Sequence, residues 1–142
     1  MSIINTAVTA IVLALKSAPA VAPVERVTLR PMAQSVTRQI VVRPHGSEAT
    51  ETDFNGQPIR WTTQIAIECY ARATAPMSPD VAVDALLDAA YARLLSDPTL
   101  GGAVIALLPQ SVTFDFDVDA EKTACATLVL HAQHRANPLT FS

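Results

Sequence analysis

Trp61-Thr62-Thr63-Gln64-Ile65-Ala66-Ile67-Glu68-Cys69-Tyr70-Ala71-Arg72 alternates between two kinds of side chain along its whole length. Trp61, Thr63, Ile65, Ile67, Cys69 and Ala71 share one parity and are mostly apolar. Arg60, Thr62, Gln64, Ala66, Glu68, Tyr70 and Arg72 share the other and are mostly polar. Successive side chains of a strand point to opposite faces, so this period predicts a strand over 59–72 with one covered face. At about 14 residues it far exceeds the usual 5–6. An antiparallel sheet is the expected setting.

Downstream, the periodicity changes. Ser78 is a fitting N-cap, Pro79 suits the first helical position and Asp80 lies at the positive end of the dipole. Val83, Leu86, Leu87, Ala90 and Leu94 then form one stripe of a helix over 79–95. The far face is small and apolar: Val81, Ala82, Ala85, Ala89 and Ala92. Alanine favours helix by itself. Close packing against another subunit is the second reading, which makes Val81, Ala85, Ala89 and Ala92 candidate interface residues.

Ser96-Asp97-Pro98-Thr99-Leu100-Gly101-Gly102 stops the helix, and Ala103 to Leu108 is expected to form an apolar turn before Pro109. Val112, Phe114, Phe116 and Val118 then alternate with Thr113, Asp115, Asp117 and Asp119. In the last strand, 123–135, Ala124, Ala126, Leu128 and Leu130 stand opposite Cys125, Thr127, Val129 and His131. Residues 136–142 read as a short polar tail.

Upstream of the deciding strand, Thr37 to Arg43 reads as a strand broken by Pro44-His45-Gly46, and Val24 to Leu29 as a shorter one. Residues 46–58 are polar and contain the turn dipeptide Asn55-Gly56, which predicts a long hairpin loop. Its one large apolar residue, Phe54, either folds back on its own domain or anchors an arm to a partner. Glu48, Thr50, Asp53, Phe54 and Asn55 are the candidate contact residues of that arm.

The N-terminal stretch Thr6 to Leu15 resembles the core of a secretion signal, with Ala18-Pro19-Ala20 as a cleavage site. However, no Lys or Arg precedes it, Asn5 and Thr9 interrupt it, and Lys16 closes it. Its roughly ten to twelve apolar residues are too few to span a bilayer. Ile4, Val8, Ile11, Val12 and Leu15 share a face, and Ser2 is a suitable cap, so an amphipathic helix over 3–17 is expected.

The chain has 142 residues, of which 50% are apolar, 5% aromatic and 16% charged. One domain spanning 1–142 is expected. Charged residues usually run near 25%, so so sparse a supply predicts exposed apolar patches, and such patches mark interaction sites. Oligomerisation is the physical expectation. A net charge of −3 disfavours a nucleic-acid-gripping role.

Chemistry is thinly represented. Asp115, Asp117 and Asp119 share a strand face at about 6.6–6.8 Å spacing, but lack a calcium-loop glycine or a nearby histidine. A solvated acidic face is the favoured reading. In a strand His131 and His134 point to opposite faces, which disfavours a metal pair. Cys69 and Cys125 lack motif spacing and read as reduced, half-buried thiols. No phosphate-binding glycine loop or nucleophile elbow is present. Neither catalysis nor a cofactor or metal is expected.

Trp61 to Arg72, Pro79-Asp80-Val81-Ala82-Val83-Asp84-Ala85-Leu86-Leu87 with Tyr91-Ala92-Arg93-Leu94, and Asp97-Pro98-Thr99-Leu100-Gly101-Gly102 together resemble the tail terminator and tail completion proteins of long-tailed bacteriophages, the minor tail protein U type. The likeness covers about 75 residues and extends weakly to the N-terminal helix. It implies an α/β subunit of the α+β type, mostly antiparallel with helices on one face, assembled as a hexameric ring. Such a ring caps the tail tube protein's polymer and meets a head-completion or connector protein. The resemblance therefore implies a virion protein of the tail or neck, assembled in the host cytoplasm and not in a membrane. DNA would pass through the lumen without specific binding, past Asp115, Asp117 and Asp119. The other readings are a different neck component, such as a connector or head-closure protein, and a small ligand-binding domain.

Overall fold

The computed structural model describes residues 2–17, 19–26, 36–51, 59–72, 77–116, 123–137 and 141–142, with the side chains of 50 and 51 excepted. In chain order the elements are α1 (Ile3–Lys16), β1 (Val24–Arg26), β2 (Arg38–Glu51), β3 (Ile59–Arg72), α2 (Pro79–Leu95), a 3-10 turn (Leu100–Gly102), β4 (Ala106–Phe116) and β5 (Thr123–Ala136). The strands form one sheet in the order β1-β2-β3-β5-β4, antiparallel except for the β1–β2 pair. This is an α+β fold, a five-stranded mixed sheet with two helices packed against it.

The deciding strand is β3, and it lies at the centre of the sheet. Ile65, Ile67, Cys69 and Ala71 are fully buried beneath the helices, level with Ile40 and Val42 of β2 and Ala124, Ala126, Leu128 and Leu130 of β5. The helix α1 rests over β1, β2 and β5, whereas α2 rests over β3 and β5 and meets β4 only at its margin. Both helices contribute apolar stripes: Ala7, Val8, Ile11 and Leu15 from α1, and Ala82, Val83, Leu86, Ala90 and Leu94 from α2. Burying one large aliphatic side chain contributes about 1.5–3 kcal/mol, so these stripes dominate the stability.

Local signals set the ends. The Ser2 side chain accepts from the Asn5 N–H at 3.2 Å and caps α1. Ser78 occupies the N-cap of α2 but donates its hydroxyl to Asp80 Oδ1 instead of bonding the helix backbone. Leu100, Gly101 and Gly102 all take positive φ after α2. Glycine adopts that region freely, and Asp97 Oδ2 accepts the Gly101 N–H at 2.8 Å to close the turn. Arg93, in the last turn of α2, reaches the end of α1. Its Nη1 donates to the Ala14 and Ser17 carbonyls at 3.2 and 2.8 Å, and its Nη2 to the Pro19 carbonyl at 2.6 Å.

Three expectations are corrected. First, β2 does not stop at Pro44. It continues to Glu51, paired with β3, through register shifts between Pro44 and Gly46 and between Ala49 and Glu51. A bulge absorbs the proline without ending the ladder. Residues 46–51 are therefore strand, and only 52–58 of the proposed loop lies outside the described residues. Second, Ala106, Leu107 and Leu108 are the start of β4 and not a turn. Third, the C-terminal end is not simply polar. Phe141 packs edge-on against Trp61, with ring centroids 5.0 Å apart, and its carbonyl accepts the Ile3 N–H at 3.2 Å.

Candidate assembly surface

β4 is an edge strand, and its side chains behave unlike those of its neighbours. Val112 pairs with Leu128, Phe114 with Ala126 and Phe116 with Ala124, so all three project on the helix-covered side of the sheet. Their partners on β5 are buried. Val112, Phe114 and Phe116 are instead 44%, 46% and 50% exposed. The cause is the width of the helical layer, which ends at the margin of β4 and leaves the outermost strip of the apolar face uncovered. Phe114 and Phe116 stack with centroids 6.2 Å apart and planes inclined by 8°. Ile105, just before the strand, is also exposed, and Leu108 is exposed on the opposite face, level with His131.

The edge of the helical layer faces this strip. At 100° per residue, Asp84, Leu87 and Tyr91 share one flank of α2, while Arg93 lies on the opposite flank, bound to the end of α1. The Asp84 flank is therefore turned toward β4. Leu87 is half-buried against the core and Tyr91 is exposed. The remaining small-residue positions of α2, Val81, Ala85, Ala89 and Ala92, are all exposed on its outer side.

Of the acidic strand, Asp115 is exposed on the side of β4 away from the helices, and Asp117 and Asp119 lie outside the described residues. Among the arm candidates, Glu48 is exposed at the far end of β2. Thr50 belongs to the same strand, and Asp53, Phe54 and Asn55 lie outside the described residues. Thus Val112, Phe114 and Phe116 share one face of β4, beside the flank of α2 that carries Asp84 and Tyr91, whereas Glu48 belongs to the opposite edge of β3 from β5.

Two recesses lie elsewhere on the molecule. A cleft of about 470 Å³ is lined by Gly46, Ser47, Glu48, Thr62, Gln64, His131 and Gln133. Gln64 Nε2 and His131 Nε2 stand 3.4 Å apart in it. A second recess, about 300 Å³, lies among Ile3, Thr6, the turn residues 102–105, His134 and Ser142.

His134 is a residue whose importance sequence reading missed. It is 3% exposed, and its Nε2 stands 2.6 Å from Thr63 Oγ1, which lies 2.9 Å from Ser47 Oγ. Its Nδ1 has no hydrogen-bond partner among the described residues. Burial holds its pKa below the ordinary histidine value. Burial also pushes the Cys69 thiol up to about 12, and it raises Cys125 and the Tyr70 phenol. Both thiols are free and buried. Arg43 Nε donates to Glu68 Oε1 at 2.5 Å on the face away from the helices, and this bond raises the guanidinium pKa. Among the described residues, no group of three or more His, Cys, Asp or Glu converges, and no helix is long and apolar enough to cross a membrane.

No family model and no curated protein sequence matches this chain. Among solved structures, a chain of the virion of a native gene transfer agent (GTA) particle aligns at 13% identity with a TM-score of 0.48, covering 95% of this chain and 92% of that chain.

Proposed function

We propose that this chain is a structural subunit of a long-tailed phage virion, forming a ring that ends the tail tube and presents the head-joining surface. It catalyses no reaction on this reading. The observation that carries it is the uncovered strip of Val112, Phe114 and Phe116, which continues the apolar face of the sheet past the helices. A monomer gains nothing by leaving stacked aromatic rings in water, and a contiguous patch of this kind marks a protein contact. The resemblance of 61–72, 79–94 and 97–102 to tail terminators supplies the type of assembly. A ring of such subunits would turn Asp115, with Asp117 and Asp119, toward a lumen that repels passing DNA.

The test is complementation. Lysates lacking this chain should accumulate tubes of irregular length, detached from heads, by electron microscopy. Adding the purified protein should restore uniform tails and joining. Uniform, joined tails in its absence would overturn the proposal. Tubes that stay uniform but detached would instead place the chain at a later neck station. For the arm, Phe54→Ser should leave folding intact and abolish head joining; unchanged joining removes Phe54 from the contact.

A further inference from the structure

The strip on β4 has a counterpart at the opposite end of the same sheet. The strand order leaves β1 and β4 as the two edges. At the β1 end, Arg26 donates to Asn5 Oδ1 at 2.6 Å and to Thr9 Oγ1 at 3.3 Å, which aligns one stripe of α1 along β1. Leu13 lies one turn further on, where the row has turned toward the outer side of α1, opposite its buried stripe. At 63% exposure it is the most exposed large apolar side chain among the described residues.

The ends also differ in charge. Asp115 is the single charged residue of β4. Asp84 lies on the adjoining flank of α2, and Asp88 follows one turn later, both exposed. The one cation of α2, Arg93, is directed at the end of α1. At the other end, Lys16 is the single charged residue of α1, and Arg26 and Arg38 stand exposed, against one acid, Glu25.

We propose that the β4 end of one copy docks head to tail on the α1/β1 end of a second copy, with Val112, Phe114 and Phe116 covering Leu13. The acidic groups Asp84 and Asp88 then face Lys16, Arg26 and Arg38, which leaves Asp115, on the other face of β4, outside the junction. The inference rests on the assembly reading above and specifies its contact. Self-pairing of two β4 edges would also cover the strip, but it sets Asp115 and Asp84 against their own copies, a like-charge juxtaposition that disfavours it. Head-to-tail contact uses two different patches, so repetition of one rotation closes a ring or propagates a filament.

Two full-length variants test this, Leu13→Cys and Phe114→Cys, each with a melting profile matching the parent because both positions are exposed. The native cysteines are buried and serve as an internal control. A short bismaleimide is applied to each variant alone and to an equimolar mixture. The expected result is a covalent dimer enriched several-fold in the mixture over either variant alone. Dimer formed by Phe114→Cys alone to the same extent would show edge-to-edge pairing and overturn the inference. No dimer in any tube, at concentrations where the parent associates, would assign the strip to a different occupant and overturn it too. A parent that stays monomeric up to its solubility limit has the same consequence. Failure here with tail capping intact leaves the ring and removes this contact; a mixed dimer from a protein that does not cap tails leaves the contact and removes the terminator role.

Discussion

His134 is an ionisable ring enclosed in the apolar layer, bonded on one side to Thr63 and, among the described residues, unpartnered on the other. Unfolded, it titrates near 6.5; folded, burial holds it lower. Between those two values the unfolded chain binds more protons, so stability falls as pH drops below about 6.5. It stops falling once the folded ring also protonates. Urea unfolding from pH 8 to 5 should show stability falling as the pH drops, by no more than about 1.4 kcal/mol per pH unit for a single group. His134→Asn should flatten that slope, and equal slopes in both proteins would remove His134 as the cause. The parity of this residue was legible: it shares the alternation of Leu128, Leu130 and Ala132, which all point inward. What the sequence could not show is that Thr63, 71 positions away, lies beside it. The thiols make a second residue-scale case. Cys69, with its pKa raised to about 12 by burial, and Cys125, raised for the same reason, should label slowly with a thiol reagent at pH 8. Denaturant should speed both on the order of 100-fold. Rapid native labelling would contradict their burial.

β5 and β4 carry similar alternation, yet one is core and the other is surface. Leu128 is 1% exposed beneath α2, so Leu128→Ala should destabilise the fold by about 2–5 kcal/mol. Phe114, one strand outward on the same face, should tolerate Phe114→Ser within about 0.5 kcal/mol in the monomer. Chemical unfolding of both variants checks the pair, and a large loss at Phe114 would mean that the strip is packed within the chain. Periodicity reports which side a residue faces, but not how far the helical layer extends over that side. For that reason β3 and α2 were readable to their ends from residues 59–72 and 79–95, while the exposure of Val112, Phe114 and Phe116 was not. Residues 46–51 misled for a related reason. Their polarity suits the end of a strand beyond the helices as well as it suits a loop, and only the bulge at Pro44 to Gly46 decides between them.

Across the whole molecule, composition anticipated surface stickiness without locating it. The low charge supply is arranged unevenly: acids gather where α2 meets β4, and cations where α1 meets β1. This asymmetry makes self-association depend on salt in a direction that separates the possible contacts. Opposite charges across a head-to-tail junction attract, and salt screens them with a Debye length of about 10 Å at 0.1 M. Association measured by sedimentation should therefore weaken between about 0.05 and 0.5 M NaCl, mainly through a slower encounter. Paired β4 edges would respond the other way, because screening relieves the repulsion between their acids while leaving the aromatic contact in place. Lys16→Glu sharpens the comparison, since it lies outside the apolar core and removes attraction at one end only. It should lower association at low salt and converge on the parent at high salt. An association that strengthens with salt in both proteins would eliminate the head-to-tail contact and leave the aromatic strip to meet its own copy.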